Sequence, residues 1–205
     1  MTDVQQTEFV VRTIAETAIA NEKYFGDLDS VVGDGDFGYS LARGFEKLLE
    51  GWDGLDRTDA GTFLKRSGMV IASRIGGTSG PLWGTAFLRA GGAADSGVVA
   101  MLRAAIEGIK ARGQSDVGDK TLLDALVPFT DQLAASLEAG SGSGEALRAA
   151  TTAAREAADA TADMVAKRGR ASYTGERSRG SVDAGATAVA VIAERISSKW
   201  QGASS

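Results

Sequence analysis

The sequence predicts an all-α domain, an up-and-down bundle or barrel of eight antiparallel helices. Apolar residues recur at three- and four-residue steps along most of the chain, which is the period of an amphipathic helix. Alanine is abundant and only 2 of the 205 residues are proline. The β-branched residues are scattered rather than alternating, so no strand is predicted. With 43% hydrophobic residues the chain can bury one core, and a single domain over residues 1–205 is expected.

The helical period defines each predicted element in order. Val10, Ile14 and Ala18 share one face of the first stretch, as Val189 and Ile192 do in the last. The eight predicted helices are 3–24, 37–52, 59–75, 80–92, 96–112, 119–138, 143–167 and 183–199.

Residues that end or begin helices stand between these stretches. The expected C-caps are Gly26, Gly76-Gly77, Gly91-Gly92, Gly113, Gly140 and Gly169. The expected N-caps are Asp36, Ser79 and Asp183. Pro128 falls inside the sixth stretch and predicts a kink or a break there.

Four unusual segments stand at the starts of the second, fourth, sixth and eighth helices: 33–40, 76–85, 118–126 and 170–186. Short connections make successive helices antiparallel, so these four starts are expected at one end of the bundle. Helix N-termini that face one opening attract anions. The alternative is that glycine-rich turns only permit close helix packing. The sequence favours a binding site at this end and plain loops at the other.

The segment D-S-V-V-G-D-G-D-F-G places Asp29, Asp34 and Asp36 among glycines, directly before an apolar helix. Three carboxylates so close together repel one another unless a cation compensates them. Mg²⁺ prefers carboxylate oxygens and completes its octahedron with water and substrate phosphate. A metal site that holds a nucleotide is therefore the leading hypothesis, and an ordinary turn is the alternative.

Other known motifs do not fit their spacing. An EF-hand loop from Asp34 would need Glu where Phe45 stands. The G-x-G-x-x-G at residues 33–38 follows a predicted helix, whereas a dinucleotide-binding motif follows a strand. The P-loop spacing that begins at Gly113 has Asp119 in place of the required lysine.

Composition excludes several classes of site. With no cysteine and no histidine, the chain cannot form a disulfide, a Ser-His-Asp triad, a thiolate or imidazole metal site, or a phosphohistidine. A net charge of −5 argues against nucleic acid as a partner. No signal peptide or membrane-spanning run is recognisable, so we expect a cytoplasmic protein without a membrane partner.

One basic segment contrasts with this acidic chain. Between residues 167 and 179 a single acid, Glu176, accompanies five basic residues: Lys167, Arg168, Arg170, Arg177 and Arg179. Such a cluster is usually a solvated face. It could also neutralise a polyphosphate or dock an acidic partner.

Taken together, the four segments resemble the nucleotide-binding (L) subunit of bacterial dihydroxyacetone kinase, which is equivalent to the C-terminal domain of single-chain kinases. The strings are G-D-G-D-x-G, G-G-T-S-G-P-L-W-G-T, G-D-K-T-L-L-D-A-L and R-A-S-Y-T-G-E-R-S-R-G-S-V-D-A-G-A. The similarity spans essentially the whole chain. It implies an eight-helix barrel with a nucleotide, ADP or ATP, at one end.

The resemblance also implies roles for individual residues. Asp29, Asp34 and Asp36 match aspartates that hold two Mg²⁺ ions against the nucleotide phosphates. The implied nucleotide contacts are Phe37, Gly38, Tyr39, Ser40, Thr78, Ser79, Gly113, Leu122, Arg170, Asp183, Ala184 and Gly185. Phe37 departs from the family, because many members carry His or Cys there, and only its backbone N–H could meet a phosphate.

The implied activity is phosphoryl transfer to dihydroxyacetone held on a separate substrate-binding subunit. The phosphotransferase-system form is favoured, in which bound ADP is rephosphorylated by a phosphohistidine partner protein. A homodimer is expected, and a transcriptional regulator is a further partner to consider. Two alternatives stay open: a kinase subunit that exchanges free ATP and serves another short ketose such as a tetrulose, and a nucleotide-sensing regulatory subunit without catalysis.

Overall fold

The computed structural model describes residues 3–75 and 79–200, and within them every regular element is a helix. The all-α prediction is confirmed. The described α-helices are α1 (Asp3–Ala20), α2 (Glu22–Ser30), α3 (Phe37–Glu50), α4 (Ala60–Arg74), α5 (Ser79–Gly92), α6 (Val98–Gly113), α7 (Leu123–Glu138), α8 (Ser143–Ala160) and α9 (Ala184–Lys199). Short 3-10 segments cover Trp52–Gly54, Ala94–Ser96, Thr161–Asp163 and Arg170–Ser178.

Where eight helices were expected, these ranges contain nine, because the first predicted stretch is two helices. The chain turns at Asn21. Its side-chain amide donates a hydrogen bond to the Thr17 carbonyl at 2.8 Å, in the last turn of α1. Gly26 lies inside α2, so its assignment as a C-cap is wrong. A Cβ at Gly26 would lie 3.3 Å from the Gly35 carbonyl oxygen, so this glycine gives the following loop room to approach.

Other helix ends also differ from the prediction, most of all in α8, which ends at Ala160 rather than at 167. Helix α7 begins at Leu123 rather than 119, because residues 118–121 form a turn held by the Asp124 carboxylate. The left-handed residue after α6 is Gln114, with φ 48°, so Gly113 is the last helical residue and not the cap.

Two further predictions concern proline and the last helix. Helix α7 continues through Pro128, so the predicted break does not occur there. The Asp183 side chain accepts from Ala186 N–H at 2.7 Å, which confirms it as the N-cap of α9.

The chain divides into two compact units. The first comprises Met1–Glu22 and Tyr39–Gln114, and the second comprises Lys23–Gly38 and Ser115–Ser205. The single domain over 1–205 and the closed eight-helix barrel stay predictions.

In the first unit, α4 and α5 pack closely through glycine. A Cβ at Gly68 would lie 2.9 Å from the Gly84 carbonyl oxygen, so the two backbones approach where no side chain intervenes. Aromatic side chains also contribute to this core, with Trp52 edge-on to Phe63 at 5.3 Å between ring centroids.

In the second unit, small side chains form the seam between α7, α8 and α9. The buried residues of this seam are Ala125, Ala158, Ala186, Val189 and Ala190. Because these side chains are short, the start of α9 lies close to the start of α7. That closeness positions part of the candidate site. No described helix is long and apolar enough to cross a membrane.

Candidate metal centre and nucleotide site

The loop between α2 and α3 folds back on Asp29. Gly33 N–H donates to the Asp29 carbonyl at 2.6 Å, and Phe37 N–H donates to its carboxylate at 3.3 Å. Gly35 adopts φ 76°, a left-handed conformation that suits glycine. Asp29, at the end of α2, therefore faces the two aspartates of the loop.

The structure brings Asp29, Asp34 and Asp36 together. One carboxylate oxygen from each lies within 4.8 Å of the others. Asp29 is half-buried while Asp34 and Asp36 are exposed, so the cluster is anchored on one side and open on the other. Three carboxylate oxygens with an open side suit Mg²⁺, which keeps positions for water and phosphate. The residues present fit the metal.

Arg170 supplies the opposite charge to this cluster. Its guanidinium forms an ion pair with the Asp34 carboxylate and lies 3.7 Å from the Asp36 carboxylate. The Arg170 side chain is 61% exposed, so it is free to turn toward another anion without loss of core packing. The arrangement places a guanidinium, a group that binds phosphate well, beside three carboxylates that suit a metal ion.

The remainder of the basic segment behaves differently. Lys167 and Arg168 lie 3.7 and 3.5 Å from the Asp119 carboxylate, and Arg179 pairs with Glu176 at 3.4 Å. All of these cations are exposed. Of the five basic residues, Arg170 is the one whose ion pairs reach the three aspartates in the part of the chain that the structure describes.

A second group of predicted residues meets where α9 begins. A Cβ at Gly185 would lie 3.3 Å from the Leu122 backbone nitrogen and 3.1 Å from Asp183 Oδ2. Burial raises the pKa of the Asp183 carboxyl to about 7, and the charge of Asp124 adds to that rise while the Ala186 N–H bond opposes it. Leu122, Asp183 and Gly185 therefore lie next to one another at the start of α9. Ala184 stands between Asp183 and Gly185 in the sequence.

Two buried residues of this unit were missed by sequence reasoning. Lys120 is 3% exposed and Asp124 is 2% exposed. Asp124 accepts hydrogen bonds from Gly118 N–H at 2.6 Å and Thr121 N–H at 2.7 Å. The signal available was a lysine and an aspartate inside the apolar string D-K-T-L-L-D-A-L.

Comparison with known proteins identifies the family of this chain. Residues 31–198 match the model of the DAK2 domain family, which is most of the chain and includes Asp34, Asp36, Arg170 and the start of α9. The chain belongs to the Dak2 family.

Among curated Dak2 relatives, the ADP-binding subunit DhaL of the PEP-dependent dihydroxyacetone kinase of Escherichia coli is 39% identical over 181 residues. These residues cover 85% of this chain and 86% of the relative. The ADP-binding subunit DhaL of the PEP-dependent dihydroxyacetone kinase 1 of Listeria innocua is 36% identical, with 84% of each chain covered. The prediction of a DhaL-type kinase subunit, and so of a phosphotransferase, is confirmed.

Longer relatives also match. An L-erythrulose 1-kinase of Mycolicibacterium smegmatis is 38% identical over 91% of this chain and 34% of its own length. The crystal structure of the dihydroxyacetone kinase from C. freundii in complex with AMP-PNP and Mg²⁺ superposes with a TM-score of 0.75 at 27% identity. It covers 93% of this chain, which spans about a third of that protein.

The remaining nucleotide contacts expected for a Dak2 protein lie near the start of α3 and in the first unit. Gly38 is buried in the first turn of α3, followed by exposed Tyr39 and half-buried Ser40. Ser79 is the first residue of α5 and Gly113 the last of α6. Thr78 lies outside the described residues. For all of these, contact with a nucleotide stays a prediction.

Proposed function

We propose that this chain is the nucleotide-binding subunit of a dihydroxyacetone kinase, with ADP as its bound cofactor and a phosphohistidine protein as phosphoryl donor. One observation carries the proposal. Asp29, Asp34 and Asp36 converge opposite Arg170 in a chain that aligns with 86% of the E. coli DhaL subunit. The ketone would be held on a separate substrate-binding subunit.

The chain's own residues would bind and orient the nucleotide. Asp29, Asp34 and Asp36 would hold Mg²⁺, two ions by the family resemblance, and the metal when bound neutralises phosphate charge. Arg170 would exchange its contact with Asp34 for phosphate oxygens, since a guanidinium binds both groups through the same planar fork of donors. The start of α9 and Leu122 would contact the nucleoside.

Composition supports the division of labour between subunits. Phosphoryl transfer through a phosphohistidine needs a histidine, and this sequence has none. In the proposed system the histidine that carries phosphoryl and the histidine that binds the ketone both belong to partner proteins. A homodimer and contact with a transcriptional regulator are further proposals of the same kind.

One alternative has a specific observation in its favour. The identity with L-erythrulose 1-kinase is 38%, nearly that with the E. coli DhaL subunit. The chain could therefore serve a four-carbon ketose with free ATP, through the same aspartates and the same arginine.

The first test is the thermal unfolding midpoint with ADP, in Mg²⁺ and again in EDTA. Ligand at about 100 times its dissociation constant adds about 2.7 kcal/mol to native stability, which raises the midpoint by several degrees. We expect ADP to raise the unfolding midpoint in Mg²⁺ and not in EDTA. No rise, for protein freed of carried-over nucleotide, would contradict the proposal and favour a non-catalytic interaction role.

The second test reconstitutes phosphoryl transfer with a dihydroxyacetone-binding subunit. Turnover with a phosphohistidine donor protein and dihydroxyacetone is expected. Turnover only with free ATP, or only with erythrulose, would support the alternative.

A further inference from the structure

Lys120 is a buried lysine whose charge is fully hydrogen-bonded. Lysine is almost never buried to this degree without partners. Its ammonium donates to the carbonyls of Met164 at 3.2 Å and Ser181 at 2.6 Å, and to that of Ser178. Three N–H donors therefore meet three backbone acceptors.

The three carbonyls lie at the two ends of one segment, residues 164–181. Other bonds close the same base: Ala166 N–H donates to Ser178 Oγ at 2.9 Å, and Gly180 N–H donates to the Ala162 carbonyl at 2.8 Å. The segment is thus a loop whose ends are joined beneath it. Arg170 projects from this loop to Asp34 and Asp36.

The backbone at Lys120 is held in an unusual conformation. Lys120 has φ 62°, which a side chain other than glycine rarely adopts and which costs free energy. The Asp124 carboxylate accepts from the N–H groups on both sides, those of Gly118 and Thr121. This turn directs the Lys120 side chain inward, toward the base of the loop. The conformational preference of lysine alone would not favour this backbone geometry.

Burial lowers the pKa of the Lys120 ammonium, and the nearby Asp183 charge opposes that effect. The charge is useful in this position because an ammonium can bind three carbonyl oxygens at once. A hydroxyl or an amide side chain has fewer donors.

We propose that Lys120 is a positioning residue of the nucleotide site: its ammonium fixes the base of the 164–181 loop so that Arg170 faces the metal-ligand aspartates. The part of the proposal that concerns nucleotide affinity rests on the proposed function, while the part that concerns the loop does not. The competing explanation is that Lys120 only stabilises the fold.

A double-mutant cycle separates these two explanations. The variants are Lys120→Met, Arg170→Ala and the double variant, with exposed Lys65→Met as the control for the same chemical change. Mg-ADP affinity is measured by calorimetry. Lys120→Met is expected to weaken binding about tenfold, the order of a lost charged hydrogen bond, in the wild-type background and not in the Arg170→Ala background. If the fold-losses in Mg-ADP affinity of the two single variants multiply in the double variant, the two residues act independently and the proposal is overturned.

A second measurement needs no nucleotide. The folded chain is digested briefly with trypsin, which cleaves after the basic residues of the loop. The rate of cleavage at each site is measured by mass spectrometry. Faster cleavage between 167 and 179 in Lys120→Met than in Lys65→Met is expected. An unchanged rate would overturn the proposal whatever the nucleotide result.

If the wild-type chain binds no Mg-ADP, the proposed function fails, and the trypsin rates alone decide whether Lys120 fixes the loop. If Lys120→Met does not fold, the milder Lys120→Gln takes its place, since it keeps an N–H donor. Failure of both variants to fold would overturn the proposal, because Lys120 would then be a folding residue.

Discussion

The backbone N–H of Phe37 donates to the carboxylate of Asp29, at an N to O distance of 3.3 Å. The Phe37 ring also packs against Phe25, 6.2 Å between centroids, and Phe25 is fully buried. One residue thus ties a proposed metal ligand to the core. The Phe at this position keeps a backbone donor, which orients Asp29 without a polar side chain.

Replacement of Phe37 by alanine is expected to lower the free energy of unfolding by about 1–3 kcal/mol, less than for a fully buried ring. The half-saturating Mg²⁺ concentration in the presence of ADP should rise, because Asp29 loses its fixed neighbour. Urea unfolding and a Mg²⁺ titration measure the two effects. Phe37→Leu is the control that keeps most of the packing, and equal behaviour of both variants would contradict the role given to the ring.

Asp34→Asn should abolish the Mg²⁺-dependent rise in unfolding midpoint caused by ADP, since a neutral amide is a poor ligand for Mg²⁺. Ligand-free stability should change by less than about 1 kcal/mol, because Asp34 is partly exposed and its partner is an exposed arginine. Asp27→Asn, which alters another exposed aspartate of the same unit, is the control. A normal response in Asp34→Asn would show that the metal assignment is wrong.

Arg170→Ala should raise the dissociation constant for Mg-ADP about tenfold or more while leaving the free energy of unfolding within about 1 kcal/mol. Arg177→Ala changes another exposed arginine of the same loop and should bind normally. Calorimetry and urea unfolding provide both values. A destabilised variant that binds normally would make Arg170 a structural residue.

Gly185→Ala should weaken nucleotide binding, because its Cβ would press on Leu122 and on the Asp183 carboxylate. Gly92→Ala is the matched control at a helix end with no atom within 4 Å of the new Cβ. The control should gain up to about 1 kcal/mol of stability from reduced backbone freedom. Equal affinity in the two variants would argue against a nucleotide contact at the start of α9.

The raised pKa of Asp183 predicts a dependence of stability on pH. The carboxyl titrates near 7 in the folded chain and near 3.9 in an unfolded one. Between these values the folded chain holds a proton that the unfolded chain releases, so stability is greatest below the window and falls as pH rises through it. Against Asp183→Asn, which keeps an N-cap, wild type should lose up to about 1.4 kcal/mol per pH unit. Urea unfolding of both at pH 5 and pH 8 tests this, and parallel pH curves would contradict it.

Local patterns predicted most of the fold. Helices α4, α5, α6 and α9 begin and end within about two residues of expectation, because their periodicity and caps are local. The prediction of the start of α7 is wrong because side chains further along the chain determine the backbone conformation there. Residues 119–122 have helical composition, yet the Asp124 carboxylate and the inward-pointing Lys120 draw them into a turn.

The candidate site divides in the same way. Asp29, Asp34 and Asp36 were recognisable as one cluster because they lie close together in the sequence. The contact of Arg170 with Asp34 could not be recognised from the sequence, because it joins residues far apart in the chain. Lys120 was missed because a sequence does not show which of its lysines is buried.

The second unit is assembled from two separate stretches of chain, with Lys23–Gly38 packed among residues 115–205. A ribosome therefore makes all three aspartates long before it makes Arg170, which supplies their counter-charge in the folded unit. The three carboxylates are therefore supplied by one short stretch of chain, whereas their contact with Arg170 depends on the folded second unit.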